Sequence, residues 1–296
     1  SWLGRVFRWR LAEHEAIRRE RFENVMRRAR SVAAADPLGL SSLVRLIAAP
    51  LQARATTSLV FQSAHGARSA YDLSDLFGSL SAQVTVEGLT LDQVGVRLTE
   101  ARYRLRLGRD PILAVPWSES SLTNAIANIG HSRRMGEWRA DFNHKVELLL
   151  PFGLTLVHGG NHSLAAGITN AEGTVVAEKV IDLAPLYAHV RYDGVSMIRI
   201  HDGYRLWEPI DEELGILFEI GQGQRTVSHV NRGFGNAVHV DQPWLAITVA
   251  LEPRPQAFQF QCLAAGQFQN GELSCRVRII DFQMQQKTVK LRFRQR

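Results

Sequence analysis

The chain has 296 residues, of which 45% are hydrophobic and 22% are charged, and this is the composition of a folded globular protein. So large an apolar fraction excludes an intrinsically disordered chain. No uncharged apolar run reaches the length of about 18 residues that a membrane-spanning helix requires. There are two cysteines, Cys262 and Cys275, and no CxxC pair, which argues against the usual kind of structural zinc site. Because no signal-peptide pattern is visible, we expect a cytoplasmic protein with reduced cysteines.

The positive charge is concentrated at the two ends of the chain. The net charge is +6, from 35 lysines and arginines against 29 aspartates and glutamates. Residues 1–30 and 276–296 are strongly basic, whereas 31–275 is mildly acidic. Basic ends of this kind predict contact with phosphates or with an acidic partner, and the alternative is a solvated face of salt bridges.

The first third of the chain has a helical pattern. Apolar residues recur at helical spacing over 4–34, and Asp36-Pro37 with Gly39 ends that helix. A second helix is predicted over 42–61 and a third over 72–81. These three helices predict a helical subdomain over 1–81, whose first helix could dock a protein partner or a second copy of the chain.

The middle of the chain mixes strand and helix patterns. The expected strands are 82–87, 101–107, 112–116 and 154–157, and the expected helices are 118–129, 143–150 and 164–168. Residues 214–220 are predicted to form a buried helix or strand. We therefore expect an α/β domain over 82–232 with a mixed sheet and flanking helices.

The last part of the chain alternates polar and apolar residues. The expected strands are 244–251, 257–264, 274–282 and 287–294, with turns at Pro253, Pro255 and Asn270-Gly271. They predict a small antiparallel sheet over 233–296. The whole chain is therefore expected to be an α+β protein with helices first, a mixed sheet next and an antiparallel extension last.

The most unusual segment follows the strand at 154–157 and reads His158-Gly159-Gly160-Asn161-His162-Ser163. Two glycines between a strand and a helix allow a tight turn, and the free N–H groups at the helix start then favour an anion. His162 can donate a hydrogen bond to a phosphate or transfer a proton near neutral pH. The alternative is a turn whose polar residues only cap a helix.

This segment resembles the signature box of the ParB/sulfiredoxin-like superfamily, a Gly-x-His-Arg or Gly-x-Arg-Arg pattern followed by an alanine-rich helix. Here Gly160 matches the turn glycine and His162 the phosphate-binding histidine. Residues 110–116 and the helix after them resemble the early strand and helix of that fold. The run 117–167 is also similar to an uncharacterised bacterial family with a Gly-Asn-His-Ser box. The resemblance implies a ParB-like central sheet and phosphate or nucleotide binding by Gly159, Gly160, Asn161, His162 and Ser163.

The sequence departs from the superfamily pattern at two positions. Ser163 replaces the usual arginine, so one charge-assisted phosphate contact is missing. Asn161 replaces the sulfiredoxin cysteine, which excludes reduction of a cysteine sulfinic acid by this box. The ligand that the resemblance implies is an NTP or a nucleic-acid phosphate, with Mg²⁺ as a cofactor if the ligand is hydrolysed.

Other residues extend this candidate site. Glu147 would face the same pocket, and join His162 as a catalytic residue, if 143–150 is a helix. The polar segment around Arg133, Arg134 and Arg139 could contact nucleotide or nucleic acid, with Trp138 stacking on a base; the alternative places Trp138 in the core. His158 and His162 are four residues apart, but the glycines between them break any helix that would align them, so no metal site is predicted.

Three functions stay open from the sequence. The first is a ParB-like domain that binds a nucleotide or a nucleic-acid phosphate. The second is an enzyme on the same fold, a nuclease or nucleotide hydrolase in a bacterial defence, toxin or partition-type role, because some ParB-like relatives cut DNA. The third is a non-catalytic DNA-binding or protein-interaction module.

Overall fold

The computed structural model describes residues 2–61, 70–231, 266–269, 272–280 and 286–294. Contacts along the chain divide it into two compact units, Ser1–Arg225 and Thr226–Arg296. The predicted class is confirmed: an α+β chain with an N-terminal helical region, a central mixed sheet and a small C-terminal antiparallel sheet. The division at 81 and 232 stays a prediction.

Seven α-helices occur in the described residues. They are α1 (Trp2–Ala35), α2 (Leu40–Phe61), α3 (Ser74–Phe77), α4 (Leu91–Val94), α5 (Glu119–Asn128), α6 (Asn161–Asn170) and α7 (Glu212–Asn231). The end of α1 follows its predicted stop signal, because the Asp36 side chain accepts a hydrogen bond from the Leu38 N–H and caps a short 3₁₀ turn, Pro37–Gly39. At the start of α5 the Ser118 side chain is the cap, because it accepts a hydrogen bond from the Ser121 N–H.

The central sheet has five strands in the order β1-β7-β4-β5-β3. Its strands are β1 (Val96–Arg97), β3 (Ile112–Leu113), β4 (Val146–Leu150), β5 (Leu154–Val157) and β7 (Lys179–Asp182). Strands β4 and β5 form an antiparallel hairpin, while β3 runs parallel to β5 and β7 runs parallel to β4. The ends of β3 and β5 therefore meet the beginnings of β4 and β7 at one end of the sheet.

Smaller sheets complete the architecture. Strand β2 (Tyr103–Arg106) pairs with β6 (Thr174–Ala177), and β8 (Val190–Tyr192), β9 (Met197–Arg199) and β10 (Arg205–Trp207) form a second antiparallel group. In the second unit, β11 (Gly266–Gln269), β12 (Glu272–Ile280) and β13 (Gln286–Arg294) form the expected antiparallel sheet. The predicted strands 244–251 and 257–264, and Cys262, lie outside the described residues.

The two faces of the central sheet bury different cores. One face packs Leu149, Leu156 and Ile181 with side chains of α1, α2 and α7. The other face packs Leu148, Val157 and Val180 with α5 and α6, through residues such as Leu122 and Leu164. This alternation along β4, β5 and β7 is what a sheet buried on both sides requires. Because the first core is shared, the helical region and the central sheet stabilise each other.

Three predicted elements were wrong. Residues 143–150 were predicted to be a helix, but Val146–Leu150 is the central strand β4, which pairs on both sides. Residues 82–87 were predicted to be a strand, but there only Gln83 forms a bridge, to Thr90. The helix predicted over 72–81 is limited to the single turn α3. Pairing with β5 and β7 decides the first case, whereas turns at 80–81 and 86–87 interrupt the other two segments.

Candidate functional site

The segment predicted to bind an anion forms a tight turn between β5 and α6. Gly160 is the N-cap residue of α6 and has a left-handed conformation, with φ +78° and ψ +21°. No side chain caps this helix, and the N–H groups of Asn161, His162 and Ser163 have no hydrogen-bond partner among the described residues. Gly160, His162 and Ser163 are only half-buried, so solvent reaches the turn. Unpaired N–H groups at a helix start attract an anion.

His144 packs against the turn and forms a hydrogen bond with Ser163. Its Nδ1 accepts a hydrogen bond from the Asp141 backbone N–H at 2.7 Å, so the neutral ring carries its proton on Nε2. That Nε2–H donates to the Ser163 hydroxyl at 2.7 Å, and the hydroxyl donates to the Gly160 carbonyl at 3.1 Å. Burial lowers the pKa of His144 and outweighs the opposite effect of the Asp141 carboxylate, so the ring stays neutral. Ser163 is therefore held within the protein and is not activated as a nucleophile.

His162 also has internal partners. Its Nε2 accepts hydrogen bonds from the backbone N–H groups of Ser118 at 3.0 Å and Trp117 at 3.3 Å. Burial lowers the pKa of His162, so the ring is neutral and carries its proton on Nδ1. Nδ1 has no partner among the described residues. The ring can therefore donate a hydrogen bond to a ligand through Nδ1, whereas Nε2 is engaged by two backbone N–H groups. The proton-transfer role of His162 stays a prediction.

Asn161 and Gly159 hold the turn in place. The Asn161 side chain is buried, and its Oδ1 accepts a hydrogen bond from the Val115 N–H at 2.8 Å. The Gly159 N–H donates to the Lys145 carbonyl at 3.2 Å. The prediction that this N–H binds an anion is therefore wrong. A Cβ at position 159 would lie 2.4 Å from the Asn143 carbonyl oxygen, which explains why glycine stands there. The five box residues thus lie together, and the free donors are the first N–H groups of α6 and the His162 ring.

Comparison with protein families matches residues 7–229 to DUF6710, a family of unknown function. The match covers most of the chain and includes the whole turn. The chain belongs to DUF6710. Neither the comparison with curated proteins nor the comparison with solved structures gave a match.

In this DUF6710 chain, Trp138 is part of the core. Its side chain is buried and packs against Gly167, Gly173 and the His144 ring, whose centroid lies 4.7 Å from that of the indole. The ring is therefore covered on both sides and cannot stack on a base. Of the two alternatives for Trp138, the structure shows the position in the core.

The arginines near Trp138 have different environments. The Arg133 guanidinium donates to the carbonyls of Ile126 and Ile129 and so closes the end of α5. Arg134 and Arg139 are exposed and make no ion pair within the described residues. These two stay available for phosphate contact, whereas Arg133 has a structural role.

The basic residues of α1 are partly paired inside the first unit. Arg18, Arg19 and Arg21 form ion pairs with Glu208, Asp193 and Glu212, respectively. This stretch of the basic N-terminal end is therefore a salt-bridged face, the alternative raised from the sequence. None of the helices in the described part of the chain is both long and apolar enough to cross a membrane.

Glu147 is not part of the turn. Because β4 is a strand, Glu147 lies opposite Leu156 on one side and Lys179 on the other, on the sheet face that packs against α1 and α2. The helix α6 packs on the opposite face. The predicted pairing of Glu147 with His162 as catalytic residues depended on a helix at 143–150 and is therefore corrected. In the described residues, no group of three or more side chains is arranged to hold a metal ion.

Trp117 is a site residue that the sequence analysis missed. It follows the end of β3, and the residue is 58% exposed. The ring meets the His162 ring edge to face, with centroids 5.2 Å apart. The signal that could have found it is its position directly after Val115-Pro116, because residues just beyond strand ends often line sites in α/β folds.

Proposed function

We propose that this DUF6710 protein binds a nucleotide or a nucleic-acid phosphate at the start of α6, as its resemblance to the ParB/sulfiredoxin-like superfamily implies. The observation that carries the proposal is the set of unpaired N–H groups of Asn161, His162 and Ser163 beside an exposed tryptophan ring. The N–H groups and the helix dipole favour the phosphate.

The rings of His162 and Trp117 would add two further contacts to the ligand. The Nδ1–H of His162 can donate to a second phosphate oxygen without carrying a charge. The exposed face of Trp117 offers a surface on which a base can stack, a contact worth about 1 to 3 kcal/mol per base. This combination favours a nucleotide or a single-stranded nucleic acid over inorganic phosphate.

The site favours binding over hydrolysis. His162 Nε2 already accepts two backbone hydrogen bonds, and Glu147 lies on the other face of the sheet. Because Ser163 replaces the arginine of the superfamily box, the phosphate would be held mainly by neutral donors. We therefore expect modest affinity and a shallow dependence on salt at this site. The Mg²⁺ expected with hydrolysis would arrive with the triphosphate of an NTP.

Calorimetric titration with CTP, ATP, GTP, UTP and inorganic phosphate tests the proposal. Wild type is expected to bind at least one nucleotide more tightly than phosphate, and Trp117→Leu to lose about tenfold in affinity for it. Trp207→Leu removes another exposed indole and serves as the control, which should bind like wild type. Absence of binding to every nucleotide, together with no shift of a fluorescent single-stranded oligonucleotide, would overturn the proposal.

A further inference from the structure

The turn before α6 lies between two exposed aromatic residues. Trp117 follows the end of β3 and is 58% exposed, and Phe142 precedes the start of β4 and is 87% exposed. Strand β5, which leads into the turn, lies between β3 and β4 in the sheet. Because β3 is parallel and β4 antiparallel to β5, the end of β3 and the start of β4 meet the turn at one end of the sheet. Neighbouring strands are about 4.8 Å apart, so β3 and β4 are separated by about 10 Å there.

Contacts connect both sides to the turn. The Trp117 N–H donates to Nε2 of His162, and the two rings meet edge to face. On the other side, the Asn143 carbonyl oxygen lies directly against Gly159 and leaves no room for a Cβ. Trp117 therefore touches the turn itself, and Phe142 adjoins a residue that touches it.

The surroundings of Phe142 indicate the kind of partner. It is the most exposed large hydrophobic residue in the described part of the chain, and the residues on either side of it are the polar Asp141 and Asn143. A protein interface buries a core of contiguous apolar surface, which this segment does not offer. A single exposed ring among polar and cationic side chains is instead what a stacked base requires.

Two cations lie in the same segment. The side chains of Arg139 and Lys145 are exposed and form no ion pair or hydrogen bond with the described residues. Cβ of Lys145 is 3.5 Å from the position that a Cβ would take at Gly159, so this side chain starts beside the turn. The acid between them, Asp141, accepts a hydrogen bond from the Asn143 N–H at 2.8 Å. The segment therefore offers positive charge to a phosphate.

The charged groups on the opposite face of the sheet are engaged with one another. The buried Glu147 carboxylate accepts a hydrogen bond from Nε2 of His158 at 2.7 Å and another from the Lys179 ammonium. Burial raises the pKa of Glu147, but these hydrogen bonds lower it further, so the carboxylate stays ionised. His158 and Lys179 are thus held by Glu147 and are not counted among the free donors of the aromatic surface.

We propose that this surface binds a single-stranded nucleic acid, with one base stacked on Trp117, a second base stacked on Phe142, and the phosphates between them beside the turn, Arg139 and Lys145. A strand of about three nucleotides reaches both rings. The bases of a duplex already stack on each other, so a duplex cannot use the rings in this way. The inference rests on the proposed function for the phosphate at the turn, and it narrows the ligand from a nucleotide to a strand.

Fluorescence anisotropy with the full chain and a labelled oligothymidylate of about ten nucleotides tests the proposal. Phe142→Leu is expected to weaken binding of this strand about tenfold and to leave the affinity for a mononucleotide unchanged, whereas Trp117→Leu weakens both. Phe61→Leu is the matched control, because Phe61 is 83% exposed on α2, and it should bind like wild type. Equal affinities of Phe142→Leu and wild type for the strand would refute the proposal.

A length series on wild type needs no variant. The affinity should rise at least about tenfold from thymidine monophosphate to the trinucleotide, because the second ring is then occupied. If wild type binds mononucleotides and gains nothing with length, this inference fails while the proposed function stands; if it binds neither, both fail. Binding of a duplex or of polyglutamate as tightly as the single strand would also overturn the inference, because neither presents a free base.

Discussion

Nε2 of His162 lies 3.0 Å from the backbone nitrogen of Ser118, the N-cap residue of α5. The start of α6 is thereby tied to the start of α5 through a ring that must be unprotonated at Nε2. Protonation of the ring would place two N–H donors face to face. The contact therefore makes the turn sensitive to acid.

The first prediction concerns pH. Burial lowers the pKa of His162 in the folded chain, so the unfolded chain takes up the proton first as pH falls. The stabilising contribution is fully present above the unfolded pKa of about 6.5 and is lost as pH falls from there toward the folded pKa. Urea unfolding at pH 7.5 and 5.5 should show a smaller acid loss for His162→Gln, whose amide oxygen can accept the same bonds, than for wild type. The exposed His131→Gln control should lose as much as wild type.

The second prediction separates two costs at Gly160. Its left-handed conformation costs any other residue about 1 to 2 kcal/mol, and a Cβ there would also lie 2.5 Å from Cδ2 of His144. Gly153 has a similar φ of +74° with no atom near its Cβ position. In urea unfolding, Gly160→Ala should lose at least about 1 kcal/mol more than Gly153→Ala, because the clash adds to the conformational cost. Equal losses would show that His144 moves aside freely.

The third prediction contrasts two tryptophans. Trp138→Ala should lower the free energy of unfolding by about 3 to 5 kcal/mol, because the indole fills the space against Gly167 and Gly173. Trp117→Ala should change it by about 0.5 kcal/mol or less, because the ring is mostly exposed. Denaturant unfolding followed by far-ultraviolet circular dichroism measures both. Similar effects at the two positions would contradict the assignment of one ring to the core and the other to the surface.

The fourth prediction concerns the acid limit of the fold. The pKa of Glu147 is lowered in the folded state, so its contribution to stability is present above the unfolded value of about 4.5 and is lost as pH falls through the folded pKa. Lys179→Met removes one of the hydrogen bonds that lower this pKa, and the acid unfolding midpoint should move to higher pH. Lys145→Met, at an exposed lysine without an ion pair in the described residues, should leave the midpoint near that of wild type.

Short-range signals in the sequence predicted several features correctly. The stop signal at Asp36-Pro37, the start of the helix near 118 and the paired glycines before α6 each act within a few residues, so they are readable without the fold. The alternation over 101–107 likewise marked β2. The two helix ends and the glycine turn depend on hydrogen bonds that close locally, whereas β2 was readable from its alternation although it pairs with the distant β6.

Features set by distant partners could not be predicted in the same way. Residues 146–150 are apolar apart from Glu147, a pattern that fits either a helix or a buried strand, and only pairing with β5 and β7 decides between them. Because 146–150 is a strand, Glu147 contacts His158 and does not face the turn before α6. Trp138 gave no local sign of burial, because its neighbours Gly167 and Gly173 come from later in the chain.

The link from Asn161 to Val115 joins the end of β3 to the first turn of α6, and His162 joins the same turn to Ser118. The Val115 and Ser118 amides therefore keep these hydrogen bonds only while the turn keeps its shape. The hydrogen–deuterium exchange rates of these two amides therefore report on ligand binding. A ligand bound at the turn should slow exchange at both amides together, although neither amide would touch the ligand.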